Sequence, residues 1–286
     1  MSRWQSHGTR AAGVALAVTL LAACGSGSDG GSGSGASSAP AASPSVSVAP
    51  GALLKDGEIS FCTDMTAPPM EFLDADQKPV GADIELGEAL AGSMGLQARW
   101  ANTAFSGIIP ALQAKQCDAI LSQLYIKPER EKVVDFVPYV YASNTVMVKE
   151  GSSISGIDAL CGKTAAAQTG TTAAEYFKEA DAKCSGGRID VRLFPKDTDA
   201  LQQLKLGLVD AYGTTLETAA YVMKQQPGQF ALAGEPFGLI TCGIATRKDA
   251  TPVHDALTQA LQAIRADGTY DKILETWNLS GDALKS

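Results

Sequence analysis

Histidine and closely spaced cysteines are scarce in this sequence. Its 286 residues include only two histidines, His7 and His254, and no Cys-x-x-Cys motif. Zinc sites are built mainly from these side chains at close spacing, so we expect no metal site, and no cofactor is expected either. Basic residues are also few, since 23 lysines and arginines stand against 31 acids, for a net charge of −8. This acidic balance argues against nucleic acid as a partner.

Long apolar runs are missing beyond the N-terminal region. No later stretch is long enough to span a bilayer. Hydrophobic residues still make up 45% of the chain and charged residues 19%, which is typical of a globular protein with a sizeable core. The length allows one large or two ordinary domains.

The first residues are organised as an export signal. Arg3 and Arg10 precede an apolar run that ends in Leu21-Ala22-Ala23-Cys24. Without these 23 residues, which hold two arginines and no acid, the charge goes from −8 to −10. The ending resembles the lipobox of bacterial lipoproteins, so residues 1–23 are predicted to be a signal peptide and Cys24 to be lipidated. An ordinary secretory peptide with a chance cysteine is the alternative.

A segment of Gly, Ser, Ala and Pro follows, with Asp29 as its only charge up to Pro50. Such a composition cannot bury enough apolar surface to fold. We expect residues 24–50 to be a tether of roughly 30 Å that holds a globular body at the outer face of a bacterial plasma membrane. The lipid is then the only membrane attachment.

Five cysteines remain in the body, so at least one has no intrachain partner. Cys161 and Cys184 bracket a predicted strand, loop and helix, and we predict a disulfide between them. An exported compartment permits such a bond. Cys62, Cys117 and Cys242 lie in or beside apolar strands, where we expect them to pack as small hydrophobic residues.

Strands and helices alternate twice along the body, which predicts an α/β fold with parallel sheets covered by helices. Two long extended runs, Tyr139–Lys149 and Leu239–Thr246, join the two alternating units. We predict two lobes with a two-stranded hinge. The first lobe would comprise residues 51–141 and 242–286, and the second residues 145–238. Such a body can open and close on a ligand.

Two segments are candidates for binding an anion. Arg130 follows Pro128 at a predicted helix start near the end of a strand, where a guanidinium can bind a carboxylate or phosphate through two hydrogen bonds. Gly170-Thr171-Thr172 lies where a strand meets a helix, so free backbone amides and the helix dipole favour an anion there. Arg130 could instead be a surface arginine, and either threonine could simply cap its helix.

Two further residues are candidates for the rest of a ligand. Phe105 opens a helix and could form an apolar wall, or belong to the core. Asp64 follows the first strand and could meet a cationic group, or cap a turn.

Six segments of the body resemble the signatures of the polar amino-acid-binding family of ABC-transporter solute-binding proteins. They follow in order between Ile59 and Trp277 and read Val80-Gly81-Ala82-Asp83-Ile84-Glu85-Leu86, Phe105-Ser106-Gly107-Ile108-Ile109-Pro110-Ala111-Leu112, Pro128-Glu129-Arg130, Val134-Asp135-Phe136, Thr169-Gly170-Thr171-Thr172 and Arg265-Ala266-Asp267-Gly268-Thr269-Tyr270. The resemblance implies a periplasmic-binding-protein type II fold, which is two α/β lobes joined by a hinge. It also implies delivery of a small ligand to a membrane permease with its ATPase.

The resemblance also implies roles for individual residues. Arg130 would bind the ligand's α-carboxylate, helped by Thr172 and by the amides around Gly170 and Thr171. Phe105 would stack on the ligand. The remaining implied positions are Asp64 beside the ligand's side chain, Ser122 and Gln123 on the cleft floor, and Asp83 as a structural residue at a helix start.

Three positions depart from the family pattern. Ala67 replaces an aromatic residue, Tyr125 replaces a serine or threonine, and Thr215 replaces the aspartate that normally binds the ligand's ammonium. A neutral threonine does not replace a charge-assisted contact. Either Glu217 or Asp64 takes over that contact, or the ligand is a substituted amine, an opine-like compound or a compatible solute.

The sequence therefore predicts a lipid-anchored, monomeric binding protein that captures a polar amino acid or similar zwitterion, or a carboxylate, for an ABC importer, and not an enzyme. An enzyme on the same fold that dehydrates cyclohexadienyl acids is the alternative. The possible proton carriers Glu71, Asp64 and Glu217 lack an evident activating partner, which argues against it. A sensor domain would need a transmembrane segment or a fused output domain, and this chain shows neither.

Overall fold

The computed structural model describes residues 46–284. The predicted signal peptide, Cys24 and most of the predicted tether lie outside the described residues. Val46 is buried, packs into a hydrophobic core, and its N–H donates to the carbonyl oxygen of Ser93 at 3.2 Å. The folded body therefore includes the last residues of the segment predicted to be a tether. Between residues 46 and 284 there is no helix with the length and apolar character needed to cross a membrane.

The strands follow the predicted alternation closely. They are β1 Glu58–Thr63, β2 Thr66–Ala67, β3 Glu71–Leu73, β4 Pro79–Val80, β5 Gln97–Asn102, β6 Ala119–Ile120, β7 Val134–Lys149, β8 Thr164–Gln168, β9 Asp190–Phe194, β10 Ala211–Thr215, β11 Phe230–Leu232 and β12 Phe237–Arg247.

Helices connect most of these strands. They are α1 Ala82–Ser93, α2 Ile108–Gln113, α3 Pro128–Glu131, α4 Thr172–Lys183, α5 Asp197–Leu206, α6 Leu216–Gln225, α7 Thr251–Ala266 and α8 Thr269–Thr276, with short 3-10 turns at Phe105–Gly107, Ile157–Leu160 and Ser280–Asp282. Local signals fix several starts. Pro128 occupies the first turn of α3, and the side chains of Thr171 and Thr215 cap α4 and α6.

One sheet runs through the body. Within residues 46–284 it has nine strands, in the order β5-β1-β6-β12-β7-β10-β8-β9, with β11 also paired to β7. The strands at both ends are parallel, and those next to β7 and β12 are antiparallel. The first part of β7 pairs with β12 and its last part with β10 and β11. These two long strands are the predicted extended segments.

The hydrophobic core changes along β7. Residues up to Ala142 pack with α1, α7 and α8, whereas Val146, Met147 and Val148 pack with residues of β8, β10, α4 and α6. We call the elements around the first core, together with α2 and α3, the first lobe, and those around the second, including α5, the second lobe. The exact ranges predicted for the lobes stay predictions.

The cysteines form one bond that the sequence did not predict. Cys161 and Cys184 form the expected disulfide, with their Cα atoms 5.5 Å apart. Cys62 and Cys117 also form a disulfide, with Cα atoms 5.6 Å apart, so the expectation that they pack as free thiols was wrong. Cys62 lies in the buried second half of β1, and Cys117 precedes β6, which is the parallel neighbour of β1. Cys242 is the free cysteine among the described residues and is buried.

Two helix predictions also differ from the structure. The helical spacing of Leu201, Leu204 and Leu208 in the sequence predicts one helix with all three on its apolar face. The observed helix α5 ends at Leu206, because Gly207 adopts a left-handed conformation with φ 71°. Leu208 is consequently 54% exposed. The α8 helix was not predicted, although Tyr270 and Leu274 on it are buried against the first lobe.

Candidate functional site

A cleft lies between the lobes, at the carboxyl ends of their parallel strands. Its volume is about 540 Å³ including the open mouth. This is where ligands bind in α/β folds, because loops after the strands leave a crevice. The residues that line it are Asp64, Ala67, Glu71, Phe105, Ser122, Gln123, Tyr125, Arg130, Asn144, Gln168, Thr171, Thr172, Ala173, Asp197, Gly213, Thr214, Thr215 and Thr218.

Arg130 reaches across the cleft from α3. Its Nη1 donates to the carbonyl oxygen of Tyr125 at 3.0 Å, and its Nη2 donates to that of Gly170, on the second lobe, at 3.3 Å. The guanidinium carbon lies 5.8 Å from the centre of the Phe105 ring. Since a guanidinium has five N–H groups, three make no hydrogen bond to the described residues. They are available to a carboxylate in the cleft.

Gly170 contributes backbone and not a lining side chain. It has φ 86°, and a Cβ there would lie 3.2 Å from Cα of Ser106 on the first lobe. The lobes therefore approach closely at a point where only glycine fits. The next residue, Thr171, accepts a hydrogen bond from the N–H of Ala174 at 3.3 Å and so caps α4. Thr171 thus caps the helix and also lines the cleft, and its role toward a ligand stays a prediction. Thr172 lines the cleft as well, and its hydroxyl is buried without a partner among residues 46–284.

Asp64 links the two lobes. Its Oδ2 accepts hydrogen bonds from the N–H of Phe105 and from Nε2 of Gln168, both at 2.7 Å, and its Oδ1 accepts one from Thr66 at 2.7 Å. Gln168 belongs to the second lobe. Burial raises the pKa of Asp64 above its ordinary value, although these three hydrogen bonds oppose the shift.

Asp197 is a second carboxylate of the cleft, at the first position of α5. Its Oδ2 accepts a hydrogen bond from the hydroxyl of Tyr212, and its N–H donates to Oγ1 of Thr66 at 3.1 Å. Burial raises the pKa of Asp197 to about 7, against the hydrogen bond from Tyr212 and with a further contribution from Asp64. The protein alone thus does not fully offset the cost of burying an ionised carboxylate at this position.

The floor of the cleft is a chain of polar contacts below Ser122. The Ser122 hydroxyl accepts from the N–H of Asp64 at 3.0 Å and donates to Oε1 of Glu71 at 2.8 Å. Burial, with the neighbouring Asp83, raises the pKa of Glu71 well above its usual range. The ionised form of Glu71 is therefore disfavoured at this position.

Asp83 holds the floor in place from below. It is fully buried and accepts hydrogen bonds from the N–H of Gln123 and the hydroxyl of Tyr139, each at 2.8 Å. Gln123 has a φ of 42°, which is uncommon for a residue other than glycine, and the bond to Asp83 supports that conformation. Burial raises the pKa of Asp83 to about 7.

The wall near Thr215 carries no charge. Thr215 is the cap of α6 and accepts from the N–H of Thr218 at 3.2 Å. Asn144 pairs with Thr215 across β7 and β10, and Tyr125 lies opposite on the first lobe. The hydroxyl of Tyr125 and Nδ2 of Asn144 are both buried without a partner among the described residues. A ligand would meet neutral hydrogen-bonding groups here.

Glu217 is not among the residues that line the cleft. It is 6% exposed, and its Oε2 lies 3.5 Å from Nε2 of Gln123. It instead borders a second cavity together with Asp282. Burial, with Asp282, raises the pKa of Glu217 to about 7. Its predicted role as a substitute for the missing aspartate stays a prediction.

The structure places most of the predicted site residues around one cleft. Nine of them line it, and these are Asp64, Phe105, Ser122, Gln123, Tyr125, Arg130, Thr171, Thr172 and Thr215. Gln168, Asp197 and Asn144 were not predicted. Gln168 and Asp197 each follow or end a parallel strand, which was the available signal, whereas Asn144 lies inside a long strand and gave none. In residues 46–284 no cluster of His, Cys, Asp and Glu suits a metal ion.

Comparisons with known proteins agree with this architecture. Residues 59–280 match the family of bacterial extracellular solute-binding proteins, family 3, and the chain belongs to that family. The ABC transporter arginine-binding protein 1 of Escherichia coli (strain K12) is 32% identical over 227 residues, which cover 77% of this chain and 90% of that protein.

Solved structures share the fold. An ancestral arginine-binding protein bound to arginine is 38% identical, with a TM-score of 0.73 over 77% of this chain and 98% of the other. The ancestral amino acid-binding protein AncCDT-1, a precursor of cyclohexadienyl dehydratase, is 33% identical, with a TM-score of 0.71 over 77% of this chain and 95% of the other. The fold is thus the two-lobed, hinged α/β fold of type II periplasmic binding proteins.

Proposed function

We propose that this protein binds an amino acid or a similar zwitterion between its lobes and delivers it to an ABC permease. Arg130 carries the proposal, because it lines a cleft that also holds carboxylates and three of its N–H groups have no partner among residues 46–284. A ligand with a carboxylate and a cationic group complements this arrangement. The amino acids bound by its relatives are of the same class.

The proposal includes the place of action. Lipid attachment at Cys24 would keep the protein at the outer face of the membrane, close to the permease. The protein would act there as a monomer. Family membership supports an extracytoplasmic location. Metabolic labelling with a fatty acid would test the anchor, since Cys24→Ala should abolish incorporation.

A thermal-shift screen tests the ligand class. The chain from Gly25 to Ser286 would be mixed with amino acids, substituted amines, opines, ectoines and betaines. A ligand that binds only the folded state raises the melting temperature as its concentration exceeds the dissociation constant. Failure of every zwitterion and carboxylate to raise the melting temperature would contradict the proposal.

Substitution of Arg130 tests the binding mode. Arg130→Ala should weaken binding of the best ligand by about 2–5 kcal/mol, since a buried carboxylate loses its charged partner. This corresponds to a dissociation constant raised roughly 30-fold or more. Arg99→Ala is the matched control, because Arg99 is exposed and pairs with Glu58 away from the cleft. Equal affinity of both variants would refute the role of Arg130.

An enzymatic function is the second candidate. The observation in its favour is Asp197, whose pKa of about 7 suits a general acid in the cleft. Incubation with a cyclohexadienyl acid, followed by chromatography for the dehydrated product, would test it. Turnover that Asp197→Asn abolishes would support the enzyme.

A further inference from the structure

The charged groups of the cleft are separated. Arg130 bonds to the carbonyl oxygens of Tyr125 and Gly170 and forms no ion pair with a cleft carboxylate in the described part of the chain. Asp64 and Asp197 lie elsewhere in the cleft, with Thr66, Gln168 and Tyr212 as their partners. Neither acid forms an ion pair within residues 46–284, although the charge of Lys196 acts on Asp64, so both are open to the cationic group of a ligand whose carboxylate is bound by Arg130.

Asp64 and Asp197 form a pair with one member from each lobe. The hydroxyl of Thr66 connects them, because it donates to Oδ1 of Asp64 at 2.7 Å and accepts from the N–H of Asp197 at 3.1 Å. Both side chains line the cleft and are at least nine-tenths buried. Two acids that are desolvated side by side disfavour the charged state unless a cation joins them.

Strand β10 contributes two residues, Thr215 and Tyr212, that affect where a cation could bind in the cleft. Thr215 at its end gives a neutral wall, and Tyr212 three residues earlier donates a hydrogen bond to Asp197. Nδ2 of Asn144 beside Thr215 and the hydroxyl of Tyr125 on the first lobe, both without a partner among residues 46–284, add neutral groups to the cleft. The wall near Thr215 thus offers no acid to a ligand's cation, whereas the Asp64 and Asp197 pair offers two.

We propose that the ligand is a carboxylate with its cationic group at the far end of its chain, that Asp197 binds this cation together with Asp64, and that a free α-ammonium contributes little. This inference rests on the proposed function, since it assumes that Arg130 holds the ligand's carboxylate. Asp197 is a specificity-determining residue in this scheme, and Tyr212 positions it.

A series of related compounds tests the inference by titration calorimetry on the chain from Gly25 to Ser286. Arginine is compared with 5-guanidinopentanoate, which lacks only the α-amino group, and with citrulline, whose end group is neutral. Lysine and 6-aminohexanoate form a second pair. Agmatine lacks the carboxylate.

The expected pattern has three parts. Removal of the α-amino group should change the dissociation constant less than about threefold, whereas the neutral end group of citrulline should raise it by about tenfold or more. Agmatine should not bind measurably. A loss of tenfold or more on removing the α-amino group, or equal binding of arginine and citrulline, would overturn the inference.

Variants locate the effect on the proposed residues. Asp197→Asn should reduce the preference for arginine over citrulline by about tenfold, and Asp199→Asn, at an exposed position on the same helix, should leave it unchanged. Thr215→Asp keeps a good helix cap and should create a preference for arginine over 5-guanidinopentanoate. An unchanged preference in Asp197→Asn overturns the role of Asp197. If Asp197→Asn does not fold, the comparison of arginine, 5-guanidinopentanoate and citrulline on the unsubstituted protein still tests the inference.

The series also separates this inference from the proposed function. Tight binding of glutamate or a neutral amino acid, with no binding of the cationic compounds, would overturn the inference and leave the function intact. Binding of none of the zwitterions or carboxylates would overturn both.

Discussion

The Cys62 to Cys117 disulfide gives a quantitative prediction about stability. The perturbation is the double variant Cys62→Ala, Cys117→Ala. The two residues are 55 apart in sequence. In the chain-entropy account, loss of a link across such a loop raises the entropy of the unfolded chain by about 14 cal/mol/K, which is about 4 kcal/mol at 25 °C.

The second disulfide is an internal comparison. Cys161 and Cys184 are 23 residues apart, so the same relation gives about 3.4 kcal/mol for their loss. Burial widens the difference, because Cys62 and Cys117 are fully buried in the first lobe and their truncation leaves a cavity there. Such a cavity adds about 1 kcal/mol or more. The variant at 62 and 117 should therefore be the less stable of the two by about 1–2 kcal/mol.

Urea denaturation monitored by circular dichroism gives the free energy of unfolding of both variants and of the unsubstituted chain. In thermal denaturation, the melting temperature should fall by on the order of 10 °C for the variant at 62 and 117. A smaller loss there than for the variant at 161 and 184 would refute the reasoning. Detection of free thiols at 62 and 117 by mass spectrometry under non-reducing conditions would do so as well.

Two further predictions concern pH and packing. Burial raises the pKa of Asp197 and Glu217 to about 7. Between about pH 4 and 7 each carboxyl keeps its proton in the folded protein and loses it on unfolding. Their contribution to stability is therefore fully present at about pH 4 and is lost as the pH rises through 7. The free energy of unfolding of the ligand-free protein should thus fall by a few kcal/mol, roughly, between pH 5 and 8, and a rise in denaturation midpoint over that range would contradict this. Gly87→Ala would place a Cβ 2.4 Å from the indole of Trp100, so urea titration should show a loss of about 1–3 kcal/mol. Gly92→Ala, in the same helix with nothing within 4 Å, should be neutral or stabilising, and equal effects of the two would refute the packing argument.

Much of the fold follows from local signals. The helix Leu216–Gln225 is an example, because Thr215 supplies a cap and the apolar positions repeat at helical spacing. The two extended runs predicted from the sequence lie inside β7 and β12, but β7 begins at Val134, five residues before the predicted start at Tyr139. Strand ends likewise pointed to Asp64 and to the loop with Ser122, since ligand sites collect at the carboxyl ends of parallel strands.

Other features depend on contacts between distant segments. Cys62 and Cys117 are brought together only when β1 and β6 pair, so their spacing gave no indication of a bond. In the sequence, nothing distinguishes Asp197 from an ordinary acid in the first turn of a helix. In the structure it is buried and accepts a hydrogen bond from Tyr212 of β10. The end of α5 was missed because Gly207 stops the helix before the apolar pattern does.

The contacts across the cleft differ in kind from those inside the lobes. Lys127 with Glu175, Arg130 with Gly170, and Asp64 with Gln168 are polar contacts, and the rings of Phe72 and Tyr221 make one aromatic contact with centroids 5.7 Å apart. The hydrophobic cores on the two sides are separate, so water can replace the polar contacts when the lobes part and no core is opened. Opening should therefore involve little of the heat-capacity change that accompanies exposure of apolar surface. Closure on a ligand should accordingly show a small change in heat capacity, set mainly by the ligand itself.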